Sequence, residues 1–241
     1  VLLSILIKMI TNSEGINGKL GIESYMKEIF IIGSGGFSKQ VIELVEEINQ
    51  NTSKYDLIGL IDDNQNLIGK EILGYKVLGN MDYLMKYSKK QKVYGVVAIA
   101  NGEARLGIVN KLSYVNWVNL VHPNAIVSKY LNIGTGNVIC AGTVINPECK
   151  IGNHCHINIG CTFGHDVEMH DFVTVMPGCN ISGNVLLKKN SFLGTGAKVL
   201  QGLVIEENSV LGAGAVLTRN TEVDKVYIGV PAVVKMESVV L

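Results

Sequence analysis

From Val121 to Leu217 an apolar residue stands at every sixth position: Val121, Val127, Ile133, Ile139, Ile145, Ile151, Ile157, Phe163, Met169, Val175, Ile181, Leu187, Leu193, Val199, Ile205, Leu211 and Leu217. A period of six fits neither the helix repeat near 3.6 nor simple strand alternation. It predicts a coil that spends one hexapeptide on each side, a parallel β-helix. The fourth residue after each anchor is usually small, as at Ala125, Thr143, Cys149, Cys155, Cys161, Cys179, Ser191, Ala197, Ser209 and Ala215. One bulky and one small inward position per side fill a narrow triangular section without voids. Gly134, Gly152, Gly164, Gly194 and Gly212 follow directly on anchors and are expected to turn the corners.

Ahead of the coil the pattern changes. Residues 28–32 (EIFII) read as a short buried strand running into Gly33-Ser34-Gly35-Gly36-Phe37-Ser38, and KQVIELVEEINQ after it has helical spacing. A strand, a glycine turn and a helix start bring backbone N–H groups and a helix dipole to one point, where phosphate can be held. Ser38 stands where the third glycine of the dinucleotide fingerprint would fall, so the motif alone is weak. A second strand, Tyr55–Ile61, ends in Asp62-Asp63, and a third, Lys92–Ala100, ends before Asn101-Gly102 and a helix from Glu103. This β-α-β-α-β-α order predicts a small parallel sheet, whose strand ends are where open α/β sheets bind ligands.

Two domains are therefore expected, a Rossmann-like α/β unit over 26–115 and the coil with its tail over 116–241. Residues 1–25 are expected to be a non-native or disordered extension, because the chain opens with Val and Met26 directly precedes the first strand. Their apolar start, VLLSILIKMI, lacks a basic leader and a small-residue cleavage site. With 21 basic and 21 acidic residues, neither a nucleic-acid nor an anionic-membrane surface is indicated. Cys149, Cys155, Cys161 and Cys179 share the small inward phase and read as buried free thiols, which points to a reducing, cytoplasmic setting. All five histidines, His122, His154, His156, His165 and His170, avoid the inward phases. They are expected on the coil's outer surface or corners.

The hexapeptide repeat resembles the hexapeptide-repeat acyltransferases, and its pairing with a small α/β domain resembles one branch of them. That branch comprises the sialic acid O-acetyltransferases and the N-acetyltransferases of nucleotide-linked 4-amino-sugars. The resemblance implies a left-handed coil, although the general rule for parallel crossovers favours the other hand. It further implies a homotrimer, acetyl-CoA as cosubstrate, no metal, and a sugar nucleotide in the first domain at Gly35, Gly36, Phe37, Asp62, Asp63 and Ala100. Phe37 stands where the amino-sugar enzymes often have His, and GGFSK is closer to the sialic-acid type. The family's general base is a His followed by an acid, which implies His165 as base and Asp166 as the carboxylate that favours its imidazolium. Acetyl-CoA would lie in the groove between adjacent copies, at Thr174, Gly194, Thr195, Gly212 and Ala213, with the segment Ile228-Gly229-Val230-Pro231-Ala232 closing the site. Thr174 replaces a second His found in some relatives.

The favoured reading is N-acetylation of a nucleotide-linked amino-sugar for surface glycan synthesis, with sialic acid O-acetylation as the alternative. A γ-type carbonic anhydrase is a rival on the same fold: His165 and His170 have a suitable spacing for two zinc ligands, but Lys129 occupies the third position. A non-catalytic scaffold is the remaining alternative.

Overall fold

The computed structural model describes residues 26–235. Its first part is a six-stranded sheet of order β3-β4-β2-β1-β5-β6, with β1 Lys27–Ile32, β2 Tyr55–Ile61, β3 Glu71–Ile72, β4 Tyr75–Gly79, β5 Tyr94–Val97 and β6 Asn116–Trp117. Helix α1 (Gly36–Thr52) follows β1, α2 (Met81–Ser88) follows β4 and α3 (Gly102–Lys111) follows β5. Ile29, Ile31 and Leu60 bury their side chains with Val41, Ile42 and Val45 of α1, while Phe30, Ile32 and Ile61 join Leu84 and Leu112 on the other side. These strands read as continuous apolar runs because both sheet faces are covered.

The simple β-α-β-α-β-α expectation is incomplete. A hairpin intervenes, β3 pairing antiparallel with β4 across Leu73 and Gly74, which both have positive φ, as tight two-residue hairpin turns require. The third strand is shorter than Lys92–Ala100, and the sheet continues through β6 to Trp117, two residues past the expected boundary. The expected extension over 1–25 lies outside the described residues.

From Leu120 the chain winds a left-handed parallel β-helix. Strands eighteen residues apart pair in register, as Val138 with His156 and His156 with Thr174. Three faces result: a first through His156–Ile157, a second through Thr162–Phe163 and a third through Glu168–Met169. The hexad anchors from Ile139 to Leu217 form one buried core with Cys149, Cys155, Cys161 and Cys179, and these cysteines are free thiols. Tyr227 and Ala232 of the final segment are buried in that core, while Ile228–Pro231 between them is exposed.

The corners are turned by a different phase from the one expected. From Gly136 through Gly214 every sixth residue has positive φ, including Glu148, His154, Asp166, Phe172, Asn184, Asn190 and Asn208. Gly134, Gly152, Gly164, Gly194 and Gly212 are not in that region and serve another purpose. A Cβ on Gly164 would lie 2.3 Å from the backbone nitrogen of Gly183, and one on Gly194 would lie 2.6 Å from that of Ala213. The missing side chain lets successive coils close on one another.

Candidate active site

The α/β unit sits on the first face of the prism. Leu120, Val138 and Cys140 of the coil share an apolar cluster with Val41 and Val45 of α1. At its centre is Arg105 of α3, fully buried. Its guanidinium donates to the carbonyls of His154 (3.0 Å), Ile99 (2.9 Å), Ala100 (2.9 Å), Phe172 (2.7 Å) and Val173 (3.1 Å). Burial pulls its pKa down to about 10, yet it stays charged at neutral pH. Gly102 permits the close approach of α3, since a Cβ there would lie 2.5 Å from the Phe172 carbonyl.

This contact corrects the expectation for three histidines. His122, His154 and His156 point away from the coil's interior, but the α/β unit covers them and all three are buried. His122 Nε2 meets the Glu47 carboxylate of α1 at 2.5 Å. The His154 ring stacks on Phe172 (5.4 Å, 8° between planes) and takes the edge of Trp117. Burial, followed by the Arg105 charge, pushes His154 down to about 4, and the same causes hold His156 well below the ordinary histidine value. Both rings are therefore neutral at working pH.

His165 and His170 remain exposed. His165 occupies the edge between the second and third faces, just after the Thr162–Phe163 strand. Its side chain is 59% exposed, and Nδ1 lies 2.6 Å from Oδ2 of Asp166. A carboxylate only accepts, so Nδ1 carries a proton, and in the neutral ring the lone pair is then on Nε2. Asp166 is a left-handed corner residue, φ 57°, a conformation that Asp tolerates better than most side chains. His170 stands at the next edge with Nε2 3.3 Å from Glu168. Among the described residues no three His, Cys, Asp or Glu side chains converge on one point as a metal site would require.

The acceptor candidates converge on the carboxyl end of the sheet. The order reverses at β1, which has β2 on one side and β5 on the other, and such a switch point opens a crevice. Gly33 (φ 101°) turns the chain there, where a Cβ would collide with Ile99 at 2.7 Å. Gly35 and Gly36 are exposed at the start of α1, which has no side-chain cap. Asp62 accepts from the Ser34 backbone (2.9 Å) and hydroxyl (2.5 Å) and from the Asn64 backbone (2.9 Å). Burial works against the charge, but these bonds outweigh it and hold the carboxyl below the usual range. Asp63 accepts from the Met81 backbone at 3.2 Å. A cleft of about 130 Å³ lies between Gly33, Asp62, Asp63 and Ile99.

Phe37 and Ala100, also expected to meet the acceptor, do not line this cleft and lie at the domain contact. The Phe37 ring lies over His156 at 5.1 Å, and the Ala100 carbonyl accepts from both Arg105 and the Thr174 hydroxyl, the latter at 2.8 Å. Thr174 is thus buried on the first face, apart from the other residues expected to meet CoA. Gly194, Thr195, Gly212 and Ala213 stack along the edge between the first and second faces. In one copy that edge and the His165 edge stand on opposite sides of the second face, which carries a hydrogen-bonded column of Thr162, Asn180 and Lys198, with 3.0 Å at each step. Arg105 escaped notice because nothing in its local sequence marks it, whereas Gly183, one eighteen-residue coil beyond His165, was within reach of the repeat. A Cβ on Gly183 would lie 2.9 Å from the His165 ring.

Comparison with known proteins places this geometry in context. Residues 28–112 match the family model described as PglD N-terminal domain. GDP-perosamine N-acetyltransferase of Escherichia coli O157:H7 is 31% identical over 113 residues. That stretch covers 45% of this chain and 49% of the relative, about half its length. The crystal structure of PerB from Caulobacter crescentus in complex with CoA and GDP-perosamine superposes with a TM-score of 0.79 at 30% identity, covering 87% of this chain and 97% of that one. The acetyltransferase domain of PglB from Neisseria gonorrhoeae, in complex with acetyl coenzyme A, gives 0.79 at 27% identity, covering 87% and 100%.

Proposed function

The chain belongs to the hexapeptide-repeat acyltransferases, in the branch of the sialic acid O-acetyltransferases and the N-acetyltransferases of nucleotide-linked 4-amino-sugars, and on that premise we propose that it moves an acetyl group from acetyl-CoA to the amine of a nucleotide-linked amino-sugar. The observation that carries this reading is the exposed His165–Asp166 pair, with Nδ1 held at 2.6 Å and Nε2 free. Acetyl-CoA supplies an activated acyl carbon. His165 Nε2 accepts the proton that the acceptor amine loses as its nitrogen bonds to that carbon. The C–S bond breaks, and the thiolate leaves to be protonated as CoA. Asp166 fixes the tautomer and the plane of the ring. Transfer is direct, with no acyl-enzyme.

We assign the acceptor's nucleotide to the switch point at Gly35, Gly36, Asp62 and Asp63, beside the domain contact that holds Phe37 and Ala100. GDP-perosamine in the PerB complex supports the class of acceptor, and CoA in the same complex supports the donor. The edge of Gly194, Thr195, Gly212 and Ala213 is the CoA side, and Thr174 bonds the Ala100 carbonyl at the domain contact instead of touching CoA. Because that edge and His165 are separated in one copy, the complete site lies between copies, which supports a homotrimer. No helix among the described residues is long and apolar enough to cross a membrane, and the buried free cysteines favour a cytoplasmic place.

The test is acetyl-CoA-dependent thiol release with UDP-, dTDP- and GDP-linked 4-amino-sugars beside free sialic acid. One nucleotide-linked amino-sugar is expected to be turned over far faster than the rest, with an amide as product. Turnover confined to sialic acid, or absent with every acceptor, overturns the assignment.

A further inference from the structure

The His165 imidazole lies against a backbone that has no side chain. An ideal Cβ on Gly183, in the coil that follows, would stand 2.9 Å from both Cε1 and Nε2 of His165 and 3.2 Å from its carbonyl oxygen. Gly183 does not have a positive φ, so its conformation is open to any L residue and the turn does not demand glycine. Coil closure does not demand it either. The stacking contact in this place is made by Gly164, whose missing Cβ clears the Gly183 nitrogen. What the hydrogen at Gly183 spares first is the ring, whose two atoms lie nearest, and after it the His165 carbonyl oxygen at 3.2 Å. The coil below is fixed independently, because the Asn184 N–H donates to the His165 carbonyl at 2.9 Å and the Gly202 N–H to the Gly183 carbonyl at 3.0 Å.

We propose that Gly183 is a positioning residue for the general base: its bare Cα is the floor on which the His165 ring lies while Asp166 holds Nδ1 from the side. Two restraints from different directions define the ring plane, and therefore the direction of the Nε2 lone pair. A methyl group at 183 would lift the ring. His165 is exposed and free to swing outward, so the clash is relieved by moving the side chain and not by opening the coil. This inference rests on His165 being the base.

The test compares Gly183→Ala, His165→Ala and the double variant. Gly183→Ala is expected to fold with a melting temperature only slightly lowered, by the 3.2 Å approach to the His165 carbonyl, and an unchanged KM for acetyl-CoA, and to lose about 100-fold in kcat, the scale of a misplacement near 1 Å. In ¹⁵N spectra of labelled histidine, the His165 signals are expected to leave the fixed Nδ1–H tautomer. In the His165→Ala background Gly183→Ala is expected to cost nothing further, since no ring remains to be displaced. Near-normal kcat for Gly183→Ala, or an equal loss in both backgrounds, overturns the proposal. So does failure of both Gly183 variants to fold, because the glycine would then serve the coil. If His165→Ala itself keeps near-normal turnover, the assignment of the base has failed, an outcome distinct from failure of its floor.

Discussion

At the scale of single residues the account turns on a pair and a pin. Asp166 holds the His165 ring through one charge-assisted contact between two exposed side chains, and such exposed pairs contribute about 0.2–1 kcal/mol. Asp166→Asn keeps the shape and the corner conformation but removes the charge. It is expected to lower kcat by about 2- to 5-fold with CoA affinity unchanged, as steady-state kinetics and calorimetry would show. Arg105 works differently. Five carbonyls accept from it; Arg105→Met would leave those of His154, Ile99 and Phe172 unpaired at about 1–3 kcal/mol each, whereas Ala100 keeps the Thr174 hydroxyl and Val173 the His156 N–H. Loss of a large part of the denaturation free energy is expected in guanidinium titration, whereas a change within experimental error would show the pin to be dispensable. The hexad anchors were legible in the letters because they repeat a local rule, whereas the His165–Asp166 pair was singled out by its resemblance to the family's base. Arg105 was not, since its role comes from carbonyls distant in sequence.

At the scale of elements, the face between α3, α1 and the coil carries a pH dependence. His154 has a pKa of about 4 in the folded protein against an ordinary 6.5. Above pH 6.5 the ring is neutral in both folded and unfolded chains, and its full contribution to stability is present. As pH falls below 6.5 the unfolded chain takes up the proton first, so stability declines until the folded ring also protonates near pH 4. A shift of this size corresponds to roughly 3 kcal/mol, and His156 adds in the same direction. Melting temperature measured from pH 7 to pH 4 is expected to fall, and His154→Phe, which keeps the stack on Phe172, is expected to flatten the fall. An unaltered slope in that variant would remove His154 as its source. The sequence placed these rings outside the coil correctly, but a period of six cannot say which outer face another domain will cover. The turn glycines were misassigned for a related reason. Both glycine phases repeat every six residues, and only the backbone angles separate the left-handed corner at Asp166 from the close approach at Gly164.

At the scale of the whole molecule, one chain carries the two proposed halves of the site on separate edges. His165, the proposed base, stands between the second and third faces, and the bare edge of Thr195 and Ala213, the proposed CoA side, between the first and second. An assembly of three chains of 26.1 kDa is expected by light scattering, and dilution to monomer is expected to abolish turnover. A fully active monomer would show that one copy suffices. In the proposed division of labour the sheet's switch point takes the acceptor and the prism edge supplies the base, while Arg105 and the Thr174–Ala100 bond join the two parts of the fold.

In the proposed reaction an exposed imidazole on the prism edge takes the acceptor's proton in direct transfer from acetyl-CoA. The most direct measurement is turnover of His165→Ala at saturating acetyl-CoA and nucleotide-linked amino-sugar, with CoA binding followed by calorimetry on the same preparation. A fall of about 10² to 10⁴ in kcat with CoA affinity preserved is the predicted result. Turnover within a few-fold of the unaltered protein would contradict it.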